Sequence, residues 1–126
     1  MSRLLDDLDP SFRPKAMELL ARGAEAGIPL MIIDTLRTIE EQTAAVKNGF
    51  SSTMRGKHLP QPPSGKSKAM DVCPYSEFQL HGPDKLQWDS TDPSWLKIGL
   101  IGESLGLKWG GRWKQPHDPG HFEMVD

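Results

Sequence analysis

Apolar residues return at helical spacing in three stretches of the chain, and short apolar runs lie between them. In the first stretch Met17, Leu20, Ala21 and Ala24 recur behind Pro14, whose fixed φ suits a first helical turn, and Gly27 stands as a stop. The spacing predicts a helix from Arg13 to Ala26. After Pro29 the run Leu30-Met31-Ile32-Ile33-Asp34-Thr35 is too short for a helix and carries two β-branched isoleucines, so it reads as a buried strand. Thr38 and Glu41 form a capping-box pattern, continued by Ile39, Ala44, Ala45 and Val46 until Asn48-Gly49. Arg37 is thereby expected in the turn between this strand and the second helix.

From Phe50 to Lys66 the chain is punctuated by Gly, Ser and Pro, and Leu59-Pro-Gln-Pro-Pro-Ser-Gly65 fits neither a helix nor a central strand. A long surface loop is expected there. Ala69 to Cys73 reads as a second strand ended by Pro74, with another loop to Thr91. Asp92 as N-cap and Pro93 at the first helical position open a third helix through Trp95, Ile98, Ile101 and Leu105, closed by Gly106. Leu107 to Trp109 and His121 to Val125 are the last strand candidates, around a Gly110-Gly111 turn. The order α, β, α, β, α, β, β without internal repeats predicts a small α+β domain with an at least partly antiparallel sheet.

A length of 126 residues sits near the size of one domain, which is the expected organisation. With 12 glycines and 11 prolines the loops are long but structured, and loops of that kind carry sites. The longest apolar run, Ile28 to Ile33, is far below the ~18 residues of a membrane span, so no membrane insertion is expected. Met1 to Asp9 carries acids where a signal peptide needs an apolar core, which predicts synthesis in the cytoplasm. One cysteine, Cys73, leaves no internal disulfide and no Cys-rich zinc site, so any metal falls to His and carboxylates. A net charge of −2 argues against a nucleic-acid partner. Locally, Gln42 to Met70 holds Lys47, Arg55, Lys57, Lys66 and Lys68 and no acid, which is either a solvated loop or a surface that meets an anionic ligand.

Three of the four histidines, His58, His117 and His121, lie in Gly/Pro-rich segments beside expected strand ends. A catalytic zinc needs three His, Asp or Glu ligands and an open position for water, and His58, Asp71 and His121 would supply such a set. Asp71 interrupts an apolar strand, where a charge is costly unless paired or bound to metal; the alternative is a solvated strand face. Asp118, three residues before His121, could lie beside a metal-bound water as general base, or simply cap the loop as an Asx turn.

These residues, in this order, resemble the zinc peptidases that cut peptidoglycan stem peptides. That family includes D-alanyl-D-alanine dipeptidases and carboxypeptidases and the L-alanyl-D-glutamate endopeptidases of phage endolysin type. The resemblance runs from Thr35-Leu-Arg37-Thr-Ile-Glu-Glu-Gln42 through His58 and Ser67-Lys68-Ala69-Met70-Asp71-Val72 to Trp113 and Asp118-Pro119-Gly120-His121-Phe122-Glu123. It implies a hedgehog-like or D-alanyl-D-alanine-peptidase-like fold, a largely antiparallel sheet flanked by three helices. It also implies zinc held by His58, Asp71 and His121, with Asp118 as catalytic acid/base and Arg37 stabilising the oxyanion or holding a substrate carboxylate. Gln42 and Trp113 are implied to assist substrate binding. The implied substrate is the peptidoglycan stem peptide and the implied enzyme a monomer, made in the bacterial host cytoplasm and reaching the wall after membrane permeabilisation.

The chain departs from many relatives in having Gly56 where a Ser precedes the first His, and in the long spacing of His58 and Asp71 around Pro60 to Gly65. His117 is a competing or supporting ligand candidate. Trp88, Trp95 and Trp109 read as core or loop anchors, His81 as an exposed loop residue and Cys73 as a small buried one. Cleavage at terminal D-alanyl-D-alanine is the near alternative. A zinc-containing module without catalysis, or a Cys73 nucleophile, are readings from other classes.

Overall fold

The computed structural model describes residues 2–48, 56–76, 85–114 and 117–125, which leaves Arg55 and His81 outside the described residues. A 3-10 turn, Leu5–Asp7, precedes helix α1, Arg13–Glu25. Strand β1, Leu30–Asp34, leads to helix α2, Ile39–Lys47, and strand β2 is Ala69–Pro74. Helix α3, Pro93–Ser104, strand β3, Leu107–Trp109, a 3-10 turn, Gly110–Arg112, and strand β4, His121–Met124, complete the order.

The local signals act as expected. Pro14 sits at the start of α1; the Thr38 hydroxyl accepts from Glu41 N while the Glu41 carboxylate accepts from Thr38 N; Asp92 accepts from Ser94 N. Gly27 and Gly106, just past α1 and α3, take φ of 80° and 83°, where a side chain is strained.

The strands form one sheet in the order β1-β2-β4-β3, every neighbouring pair antiparallel. This is an α+β fold with a wholly antiparallel described sheet. Helices α1 and α3 pack on each other and against the sheet, and Met70, Val72 and Phe122 meet Phe12, Ala16, Leu19, Trp95 and Ile98 in the core. Because strand side chains alternate, Asp71 and His121 project to the opposite face.

The sequence pattern predicted no element before Arg13, yet Leu8 and Phe12 are fully buried. The segment is anchored rather than periodic. Asp9 N donates to Ser67 O at 2.7 Å, and the Asp9 carboxylate accepts from Ser11 N at 3.0 Å and from the Ser64 hydroxyl at 2.6 Å. The Ser11 and Ser64 hydroxyls hold the Asp9 carboxyl down at about 2, below its ordinary 3.8. Asp9→Ala is expected to cost about 1–2 kcal/mol of stability at pH 7, the usual size for lost hydrogen bonds to a carboxylate. A depressed carboxyl stabilises above its unfolded value, so the deficit is full above about pH 4 and shrinks as pH falls toward 2. Urea unfolding of both proteins across that range checks it.

Candidate functional site

The register of β2 against β4 makes the centre of the site. Asp71 stands directly across from His121, and opposed residues of an antiparallel pair bring their side chains together. His121 Nδ1 lies 2.9 Å from Asp71 Oδ1, and His121 Nε2 lies 2.8 Å from Oε1 of Glu123, on the same strand face. His58 arrives from the loop before β2 and is tied to the β1–α2 turn. Its Nδ1 donates to Thr35 O at 2.6 Å, while Arg37 N donates to His58 O at 2.9 Å.

These partners dictate where the protons sit. A carbonyl only accepts, so a neutral His58 carries its proton on Nδ1 and presents the Nε2 lone pair, which lies 3.1 Å from Asp71 Oδ1 and has no hydrogen-bond partner among the described residues. Glu123 likewise draws the proton of a neutral His121 to Nε2 and aims the Nδ1 lone pair at Asp71. Two lone pairs and one carboxylate oxygen thus face each other, all within 4.8 Å. Three acceptors without a proton between them repel, and a cation removes the conflict. Zinc takes this donor chemistry at 2.0–2.2 Å, with carboxylates behind the imidazoles fixing their tautomers. The residues therefore fit a metal, with His58 Nε2, Asp71 Oδ1 and His121 Nδ1 as the donors.

A proton on His121 can take the cation's place. Burial alone would lower the pKa of His121, but its hydrogen bonds to Asp71 and Glu123 push the imidazolium up to about 10. Burial would raise Asp71, yet the charges and hydrogen bonds of His58 and His121 hold it far below the ordinary carboxylate range.

Asp118 sits at the rim, its Oδ2 4.0 Å from His121 Nδ1 and its side chain 35% exposed. Burial and the neighbouring Asp71 charge push its carboxyl up to about 6. Two glycines make this loop possible by close approach. A Cβ on Gly110 would come within 2.3 Å of Asp118 O, and one on Gly120 within 2.3 Å of Val72 O. His121 N donates to Asp118 O at 3.2 Å, which closes the turn between base and ligand candidates.

Arg37 lies in the expected turn and is firmly held. Its Nε donates to Asp34, its Nη1 to Gln42 Oε1 at 3.2 Å and its Nη2 to Asp71 Oδ2 at 3.1 Å. Three of its five N–H donors are engaged among the described residues, which leaves one on each terminal nitrogen. Gln42 is 1% exposed, so the structure corrects its expected role: it touches Arg37 and has no surface to offer a substrate. Trp113 does stand at the site, its ring 4.8 Å from that of His121.

Asp34 and Glu123 complete the site and were missed as site residues by sequence reasoning. Asp34 is 1% exposed, burial raises its carboxyl, and its Oδ1 has no hydrogen-bond partner among the described residues. It had a readable signal, close to that of Asp71: a carboxylate in a short apolar run, here at the strand's last position.

Other expectations change. His117 is exposed and lies outside the three-residue cluster. Lys57 donates to Met124 O at 2.7 Å and Lys66 to Asp6 O, so two cations of the basic stretch are engaged by the chain itself. Trp95 and Trp109 are buried as expected, but Trp88 keeps 54% of its surface. Cys73 is fully buried, with its thiol toward Pro74 O and Gln87 O, and offers no exposed nucleophile. No helix among the described residues is long and apolar enough to cross a membrane.

Comparison with known proteins finds relatives along nearly the whole chain. A family model described as D-alanyl-D-alanine carboxypeptidase matches residues 66–124. The peptidoglycan L-alanyl-D-glutamate endopeptidase CwlK of Bacillus subtilis is 30% identical over 127 residues, covering 94% of this chain and 74% of that protein. The L-alanyl-D-glutamate peptidase of a Listeria phage is 29% identical over 121 residues, covering 95% of this chain and 39% of the phage protein. Among solved structures, the Serratia marcescens L-Ala D-Glu endopeptidase ChiX matches with a TM-score of 0.69 at 23% identity, over 96% of this chain and 83% of that one. At that identity the likeness speaks for the fold.

Proposed function

Since the chain belongs to the peptidase family of the D-alanyl-D-alanine carboxypeptidases and peptidoglycan L-alanyl-D-glutamate endopeptidases, we propose that it is a zinc-dependent peptidoglycan peptidase that hydrolyses the L-alanyl-D-glutamate amide of the stem peptide. The observation that carries this reading is the meeting of His58 Nε2, Asp71 Oδ1 and His121 Nδ1, with the Asp118 carboxylate 4.0 Å from that last nitrogen. Bound by those three atoms, zinc supplies Lewis-acid polarisation of the scissile carbonyl and a lowered pKa for its water.

The chain's own residues do the rest. Asp118, raised toward neutrality by burial, takes a proton from the attacking water and returns it to the leaving amine. The two remaining N–H groups of Arg37 face charge that grows on the carbonyl oxygen, and Asp34, Gln42 and Asp71 keep the guanidinium from swinging away. Trp113 packs against His121 and shields one side of the site from water.

The test is digestion of purified peptidoglycan by the zinc-loaded protein, with new amino termini identified by mass. New glutamyl termini support the proposal; release of free D-alanine supports the carboxypeptidase alternative; a zinc-loaded protein that cuts neither leaves only a binding module. Glu123→Gln offers a finer check, since the amide can present its own N–H to His121 and no longer fixes the tautomer. Zinc affinity or activity is expected to fall about 10- to 100-fold, read by competition with a chromophoric chelator.

A further inference from the structure

Beside the ligand cluster lies a cavity of about 300 Å³ that the chemistry above leaves without a role. Asp71 and Asp118 form its edge toward the ligands, and Ile33, Trp88, Trp95 and His117 line much of the rest. Two features show that it is built. The ladder pairs Ile32 with Val72 and Asp34 with Asp71, so Ile33 is the extra residue of a β-bulge, and the bulge that brings Asp34 to Arg37 also leaves Ile33 on the cavity wall. Trp88, for its part, is exposed on a loop tied down on both sides. Gln87 N donates to Pro74 O at 2.8 Å, Asp89 N to Gln87 Oε1 at 3.0 Å, and Asp89 O accepts from Trp95 Nε1 at 2.9 Å and from Asp92 N at 3.0 Å. A large indole held in the open by an ordered loop is prepared to cover a ligand at little entropic cost.

The lining selects the ligand's chemistry. Among the described residues no lysine or arginine lines the cavity, and the lining acid that is not one of the metal donors, Asp118, repels a carboxylate-bearing group there. The two sides of an L-alanyl-D-glutamate bond differ in this respect. The glutamyl side carries a carboxylate, whereas the acyl side offers a methyl group and the neutral acyl substituent on the alanine nitrogen. A methyl alone occupies about as much space as a water, roughly 30 Å³, and leaves most of the cavity empty.

The geometry points to the Trp88 cavity as the acyl-side subsite, which takes the L-alanyl residue together with the neutral group on its nitrogen, with Trp88 setting the preference for a large group there. This rests on the endopeptidase reading and deepens it.

The test compares two substrates with the same scissile bond on the zinc-loaded protein, one an N-acetyl-L-alanyl-D-glutamyl peptide and the other its N-acetylmuramyl counterpart. The parent is expected to favour the muramyl substrate about tenfold in kcat/KM, through KM, the size of one good aromatic contact. Trp88→Ala is expected to bring that ratio close to one, and Trp88→Phe to restore part of it. A Trp88→Ala variant that keeps the preference, or a parent that has none, overturns the subsite. In parallel, N-acetylmuramyl-L-alanine is expected to shift the Trp88 indole N–H resonance, and free D-glutamate is not. The Trp109 indole is buried and does not line the cavity, so its resonance, unmoved in the variants, verifies the fold. If the parent cuts neither substrate, the endopeptidase reading fails by itself, and the indole titration still decides the subsite: a shift with the muramyl ligand sustains it and no shift overturns it.

Discussion

An Asp118→Asn variant is expected to bind zinc as the parent does, to unfold at the same temperature, and to lose about 10²- to 10⁴-fold in kcat, the range of general acid/base catalysis. The side chain keeps 35% of its surface and stands off the three donor atoms, so an isosteric amide disturbs neither packing nor metal binding. What it removes, on the proposed mechanism, is the place where a proton rests between water and leaving amine. The pH profile gives a second readout. Asp118 accepts a proton only when ionised, and burial together with Asp71 pushes it up to about 6 without a cation present. A bound cation pulls that value down, so the parent's kcat/KM is expected to fall off on the acid side at or below about pH 6, and the variant to lack that limb. Equal kcat in the two proteins would remove Asp118 from the reaction.

Asp71→Asn separates ligand from base, because here the metal goes and the activity follows. Asp71 is the hub of the site: Oδ1 meets both imidazoles and Oδ2 accepts from Arg37. Removing one partner of a buried charge cluster costs about 3–5 kcal/mol, or about 10²- to 10⁴-fold in zinc affinity. Zinc content after dialysis and kcat at a fixed low free zinc level should fall together, whereas Asp118→Asn keeps the metal and loses only turnover. Retention of stoichiometric zinc by Asp71→Asn would assign the ion to other atoms.

Much of the fold was legible because its punctuation is local. The Thr38–Glu41 box, Asp92-Pro93 and the glycines after α1 and α3 act within a few residues of where they stand. The meeting of His58, Asp71 and His121 was legible in residue type and order. What escaped depends on distant chain. Glu123 matters because β4 alternates and His121 turns one nitrogen back toward it. Asp34 matters because a bulge delivers it to Arg37. Gln42 was placed on a helix correctly, but which face of that short helix is buried is decided by Arg37. Leu8 and Phe12 belong to the core without any period to announce them. In each case the missing information was a register or a docking angle, and neither is written in a window of neighbouring residues.

The position of β4 has a temporal meaning. This strand is synthesised after the other three, yet it lies between β2 and β3, and it carries His121 and Glu123. A growing chain on the ribosome can pair β1 with β2 and wind α1 and α3, but the seam between β2 and β3 stays open until residues 121–124 emerge. Contacts of such long sequence separation form late. With His121 as a proposed metal donor, the site is completed only when the sheet closes, so the topology makes the nascent chain's competence the last thing to form.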